Sequence, residues 1–320
     1  MGLSARREEL IMKLKESNIF NLISKAFPAG SPKKEGRFAP IYGLFERHEP
    51  KPRQTEMAFF TDTSICTGCK SCEVACKQWN QIKAPTPKWS GNSYDNTQDL
   101  SYLNWRHVKF IERFPEKNEV NHPAPKNIDN LLAEKKIGEW LFMSDQCKHC
   151  RQSPCHQACP TGAIMRNEFG GVYYQTDICM GCGMCIAACP FGVPEINPDT
   201  GHSVKCAQCY DRLRDGLRPA CVTACTTGAI DFGPREVMVE KARARVKFLH
   251  EHGHPEANLY GCDDFEHYSS LNSFYLLMDK PSVYGLPENP ITPTEHMPMD
   301  YLRAAATLIL CSAVVVGTLM

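Results

Sequence analysis

Sixteen of the eighteen cysteines in this 320-residue chain stand in four tight groups of four. The first group is C-T-G-C-K-S-C-E-V-A-C at 66–76 and the third is C-M-G-C-G-M-C-I-A-A-C-P at 179–190. Both have the spacing CxxCxxCxxxC. The second group, Cys147, Cys150, Cys155 and Cys159, and the fourth, Cys206, Cys209, Cys221 and Cys225, have four and eleven residues between their second and third cysteines. Each still ends in CxxxC. A tight loop of this kind offers three thiolates to three corners of one iron-sulfur cube, while the fourth cysteine points away toward a second cube. Gly68, Gly181 and Gly183 suit such loops, because glycine accepts unusual backbone angles and lets amides approach sulfur. Clustered cysteines in so long a chain argue for metal ligation rather than the disulfide framework of a small secreted domain.

The two compact groups have the spacing of bacterial ferredoxins, and sixteen ligands make four 4Fe-4S clusters. Groups two and three are neighbours in sequence, joined by a short connection with a strand at 172–175, so they are expected to share one dicluster module. Groups one and four then share the other, with the first module inserted between them. Ligand exchange within each module predicts Cys147, Cys150, Cys155 and Cys189 on one cube and Cys159, Cys179, Cys182 and Cys185 on its neighbour. In the second module it predicts Cys66, Cys69, Cys72 and Cys225 on one cube and Cys76, Cys206, Cys209 and Cys221 on the other. The alternative is zinc, which CxxC pairs also bind in tetrahedral sites. Four complete runs, two of them followed by proline, fit cubes better. Cys262 and Cys311 fall outside every group and read as lone thiols. His149 and His156 are surplus to a full cysteine set and read as loop residues. Lys70, Lys148 and Lys205 sit beside ligands and read as solvated loop lysines.

Lys plus Arg and Asp plus Glu both number 36, so no net basic field draws the chain to nucleic acid. The first twenty residues have no apolar core and predict no secretory signal. Leu10, Ile11, Leu14, Ile19, Leu22 and Ile23 lie at helical spacing within 1–27 and predict an amphipathic helix, which either covers part of the chain's own core or binds a partner. At the other end, 304–320 is an uncharged run of 17 residues. As a helix it would reach roughly 26 Å, close to a bilayer core of roughly 30 Å.

An internal repeat, A-C-P-T-G-A-I at 158–164 against A-C-T-T-G-A-I at 224–230, implies two copies of one unit. The predicted organisation is an N-terminal arm and linker at 1–57 and one ferredoxin-like module formed by 58–80 with 191–232. An insertion occupies 81–139, with a strand inside 102–114, and the second module occupies 140–190. A helix and strand follow at 233–280. That helix opens at Pro234, closes at Gly253 and carries the stripe Val239, Ala242, Val246 and Leu249; the strand is 273–278. Five prolines between 281 and 298 predict an extended tether over 281–303, leading to the candidate membrane helix 304–320.

F-F-T-D-T-S-I-C-T-G-C at 59–69, G-N-S-Y-D-N-T at 91–97, W-R-H-V at 105–108 and Y-L-L-M-D-K-P-S-V-Y-G-L-P at 275–287 resemble the iron-sulfur beta subunits of molybdenum or tungsten formate dehydrogenases. The likeness covers about 58–287. Four cysteine groups in this order are shared with subunits of nitrate, dimethyl sulfoxide and polysulfide reductases. Nitrate reductase beta subunits are similar but typically replace one cluster cysteine by tryptophan, whereas all sixteen positions here are cysteine. The resemblance implies an α+β fold with two pseudo-symmetric ferredoxin-like dicluster modules, insertions and a C-terminal apolar helix. It implies an electron-transfer subunit without a substrate site of its own. Its partners would be a molybdopterin catalytic subunit and a membrane cytochrome b or quinone-reactive subunit, with the chain held at the membrane by its C-terminal helix or through that subunit. The rivals are the same conduit serving another molybdopterin reductase or a hydrogenase, and a zinc-stapled scaffold.

Overall fold

The computed structural model describes residues 55–86, 91, 94–113, 139–292 and 307–308. All but Thr307 and Leu308 belong to one compact unit, Arg47–Met297. The expected N-terminal helix lies outside the described residues. So does 304–320, except Thr307 and Leu308, which are helical. Among the described residues no helix is long and apolar enough to cross a membrane.

Strands and helices are mixed, as an α+β fold requires. A four-stranded sheet carries β1 (Met57–Asp62), β8 (Ile230–Pro234), β9 (Asn258–Tyr260) and β10 (Ser273–Leu277) in the order β8-β1-β10-β9. β1 runs parallel to β10, with Phe60 opposite Phe274, and antiparallel to β8, with Phe59 opposite Phe232. β10 is apolar on both faces because both are covered, and all five of its residues are buried. Three two-stranded ribbons surround it: β2 (Arg106–Arg113) with β3 (Glu139–Gln146), β4 (Ile164–Arg166) with β5 (Val172–Tyr174), and β6 (Glu195–Ile196) with β7 (Ser203–Val204).

The long helix Arg235–Glu251 forms between Pro234 and Gly253 and packs on β1 and β8. Ala242 and Leu249 of the expected stripe are buried, and Val239 and Val246 pack partly buried against the same core. Met238 is buried as well. An ion pair of 2.9 Å between Arg245 and Asp62 ties the helix to the end of β1.

One expectation is met in the insertion and one, the extended tether, is corrected. The strand sought in 102–114 is Arg106–Arg113, and it pairs along its whole length with β3, from Arg106 opposite Gln146 to Arg113 opposite Glu139. The insertion therefore supplies a strand that braces the second cysteine group. The stretch from 281 to 292 is not an extended tether: Pro281–Tyr284 forms a 3-10 turn, and Tyr284 and Leu286 are 1% and 4% exposed in the main core. Their aromatic and aliphatic side chains bury enough surface to fold back a segment that prolines alone would leave extended.

Leu276 sits in the middle of β10 with 0% exposure. Leu276→Ala is expected to lower the stability of the loaded protein by about 2–5 kcal/mol. Val237→Ala, on the exposed face of the long helix, should stay within about 0.5 kcal/mol. Thermal denaturation of the two variants checks this, and equal midpoints would contradict the placement of the core.

Candidate metal centres

All four groups build the same local unit. The third cysteine is in each case the second residue of a short helix: Cys72 in α1 (Ser71–Trp79), Cys155 in α2 (Pro154–Ala158), Cys185 in α3 (Met184–Ala188) and Cys221 in the helix Ala220–Thr223. We label that last helix α5, since α4 (Tyr210–Arg214) precedes it. The stretched groups are thus the compact unit with extra chain inserted before the helix; in the fourth group that chain folds into α4. The fourth cysteine lies at or just past the helix end in three groups, and glycine follows three residues later: Cys159 with Gly162, Cys189 with Gly192, Cys225 with Gly228. In each of these turns the glycine has φ between 62 and 71° and its N–H donates to the cysteine carbonyl. The internal repeat is therefore a repeat of conformation. Group one departs from it: Cys76 remains within α1, and Asn80 Nδ2 donates to its carbonyl at 2.8 Å.

The loops before the helices need left-handed backbone. Gly68 and Gly181 have φ of 67 and 68°. A methyl group at Gly68 would lie 2.7 Å from the Phe142 ring, and one at Gly181 would lie 2.2 Å from the Gly201 carbonyl oxygen. Only glycine meets both demands.

Helix packing brings the groups together in pairs: α1 lies on α5 and α2 on α3. Group one thus meets group four, and group two meets group three. Cys76 faces Cys206, Cys209 and Cys221, and Cys66 faces Cys225 and Cys69. Cys155 faces Cys147, Cys150 and Cys189. Cys159, Cys179 and Cys185 share one apolar cluster with Cys155. Cys182 is exposed beside them in sequence. Between the pairs, Cys147 and Cys206 share another cluster with Cys189. Among the described residues no three His, Cys, Asp or Glu side chains are arranged around a single metal ion.

The chemistry of this donor set fits an iron-sulfur ligand shell. Burial, then repulsion from neighbouring thiols, pushes Cys206 up to about 12. Desolvation raises Cys72 to about 11 and Cys209 to about 11, while Cys76 is driven well above its ordinary value. Thiols packed this closely become thiolates when cations are placed among them. At the exposed Cys69, hydrogen bonds from Ser71 and then Thr226 bring the thiol down to about 7.

Several residues around the sulfurs escaped sequence reasoning. Ser144 Oγ lies 3.2 Å from Cys72 Sγ and Ser203 Oγ 3.2 Å from Cys185 Sγ, and Tyr268 abuts Cys150. Serine and tyrosine carry no spacing signal, so nothing in the chain announces them. Lys148 and Lys205 are not solvated: they are 1% and 3% exposed. Lys148 is paired with Asp145 and donates to Tyr275 Oη at 3.2 Å, and Lys205 donates to the carbonyls of Val172 and Cys206. Lys70, a quarter exposed, pairs with Asp95 at 3.0 Å. His107 Nε2 meets the same carboxylate at 2.9 Å, and the Val108 N–H donates to Glu73. This cluster fastens the loop around 95 and the start of β2 to α1, which accounts for two of the motifs on which the resemblance rests. Although burial works the other way, His107 and Lys70 hold the Asp95 carboxyl well below its usual range. His149 accepts the Val172 N–H at 3.0 Å, and desolvation keeps it neutral. Cys262 is buried, and Cys311 lies outside the described residues.

Two family profiles, each described as a 4Fe-4S dicluster domain, match residues 65–163 and 138–235. The chain is 40% identical over 255 residues to the formate dehydrogenase-O iron-sulfur subunit of Escherichia coli, covering 78% of this chain and 76% of that one. It is 38% identical over 252 residues to the formate dehydrogenase iron-sulfur subunit of Haemophilus influenzae, with 78% and 74% covered. The B subunit of the anaerobic dimethyl sulfoxide reductase of Escherichia coli is 36% identical over 187 residues, which is 58% of this chain and 78% of that one. Sixteen grouped cysteines and two dicluster matches fit four 4Fe-4S clusters. The chain therefore belongs to the family of iron-sulfur subunits of formate dehydrogenases, built on 4Fe-4S dicluster domains.

Proposed function

We propose that this chain conducts electrons from a molybdopterin formate dehydrogenase catalytic subunit toward a membrane cytochrome b or quinone-reactive subunit. Each 4Fe-4S cluster, when bound, supplies reversible one-electron chemistry at a potential set by its surroundings. The ligand sets we assign are Cys66, Cys69, Cys72 and Cys225; Cys76, Cys206, Cys209 and Cys221; Cys147, Cys150, Cys155 and Cys189; and Cys159, Cys179, Cys182 and Cys185. The two interleaved modules follow from the same assignment.

The observation that carries this reading is the continuity of the sulfur path. It begins at exposed Cys69 and crosses from α1 to α5 at Cys72 and Cys221, which share one core cluster. From there it passes between the modules at Cys206 and Cys147, and then between Cys155 and Cys185 toward exposed Cys182. The protein's own part is to hold the inner thiols dry and fixed, which keeps the reorganisation accompanying charge transfer small, and to leave one sulfur of each terminal set open to a partner. The names of the relatives favour formate as the electron source over dimethyl sulfoxide as the acceptor, because the formate dehydrogenase subunits match more of this chain.

The purified chain is expected to be brown and to contain roughly sixteen iron and sixteen labile sulfide. It should not oxidise formate alone, and should pass electrons from formate to an artificial acceptor once joined to a catalytic subunit. A zinc content near four with little iron would refute the reading.

The apolar run 304–320 is proposed to hold the complex at the membrane, since an exposed apolar stretch of this length is unstable in water. Removing it should shift the complex to the soluble fraction on centrifugation with its iron content unchanged. A truncated complex that still sediments with membranes contradicts this assignment.

A further inference from the structure

Arg106 is the largest fully buried side chain in the described protein, with 2% exposure. It is the R of W-R-H-V and opens β2. The thiols of Cys221, Cys72, Cys206 and Cys76, where groups one and four meet, act on its guanidinium electrostatically, and Cys72 and Cys221 share one core cluster with Phe59. One nitrogen, Nη1, donates to Ser144 Oγ at 2.8 Å, and the same hydroxyl lies 3.2 Å from Cys72 Sγ. The Phe59 ring centroid is 5.5 Å from the guanidinium carbon. The other terminal nitrogen, Nη2, is buried without a hydrogen-bond partner. No carboxylate of the described residues lies within ion-pair distance.

An isolated cation in such a place costs several kcal/mol in lost hydration. The buried Lys148, by contrast, has the usual remedy, since Asp145 neutralises it. Arg106 has no carboxylate partner among the described residues, and the ionisable groups that act on it most strongly are thiols of groups one and four. Four thiolates and four sulfides leave a 4Fe-4S cluster with net negative charge, and reduction adds one more electron to it. A fixed guanidinium beside the ligands stabilises the reduced, more negative state more than the oxidised one, which raises the potential. Arginine also keeps its proton across the range in which proteins function. The shift it produces is therefore independent of pH, unlike one produced by a histidine.

Resting on the ligand sets above, we infer that Arg106 is a positioning and potential-setting residue. It holds the clusters of the Cys66, Cys69, Cys72 and Cys225 set and of the Cys76, Cys206, Cys209 and Cys221 set at higher potential than thiolate ligation alone would give, so that electrons enter this half of the chain readily. Ser144 aims the guanidinium, and β3 holds Ser144.

The test is redox-titrated electron paramagnetic resonance of the intact complex carrying Arg106→Gln or Arg106→Lys, with iron content measured on the same samples. Four signals and full iron in the wild type establish the clusters themselves, so their absence would fail the underlying reading rather than this one. With iron retained, Arg106→Gln should lower two of the four midpoint potentials, by the same amount at about pH 6 and about pH 9, and move the other two less. Arg106→Lys should return both toward wild type. Full iron with unmoved potentials in Arg106→Gln overturns the inference. If Arg106→Gln loads less iron, Arg106→Lys decides: potentials near wild type support the charge, whereas displaced potentials, or failure to load iron, leave Arg106 a structural role and overturn it.

Discussion

Of the sixteen grouped thiols ten are buried, and many are held close enough to repel one another once ionised; most of the structure is organised around that condition. Burial and mutual repulsion lift Cys72, Cys206 and Cys209 far above the ordinary range of a thiol. Iron reverses the balance, because the metal replaces the protons and each thiolate then has a cation beside it. The ligand loops are short and mostly irregular, so their folding is expected to be coupled to metal loading.

The sheet compensates for that weakness. β1 enters group one and β8 leaves group four, and the two strands pair, so the ends of one module are fastened to each other. The loop of group two is fastened to the residues leading into β10: the Ser273 N–H donates to the Lys148 carbonyl at 2.9 Å and the Asn272 N–H to that of His149 at 3.3 Å. β3, which leads into group two, pairs with β2, whose first residue is Arg106. The buried core of β10 and the long helix thus positions both modules through backbone hydrogen bonds, while the sulfur-bearing loops contribute ligands rather than rigidity.

The cysteine groups, the glycines of the ligand loops, the helix between Pro234 and Gly253 and the strand near 273 were legible in the sequence, because each depends on spacing or on a backbone conformation that few residues adopt. The A-C-x-T-G-A-I repeat was legible too, as the shared turn after Cys159 and Cys225, while the matching turn after Cys189 was not read. What was hidden depends on distance across the fold. The burial of Lys148 and Lys205 follows from Tyr275, Val172 and neighbours remote in the chain, so local sequence reads both as solvated. Arg106 and Ser144 meet only because β2 and β3 pair across a long insertion. Tyr284 and Leu286 turn a proline-rich stretch inward, which proline content by itself argues against.

The central claim is that ligands are exchanged between groups distant in sequence, and substitution of single cysteines tests it most directly. Cys76→Ser and Cys221→Ser should perturb one and the same signal in redox-titrated electron paramagnetic resonance, while Cys72→Ser and Cys225→Ser should perturb a different one. If Cys76→Ser and Cys72→Ser altered the same signal and Cys221→Ser left it intact, each group would hold a cluster of its own, and the interleaved account would be wrong.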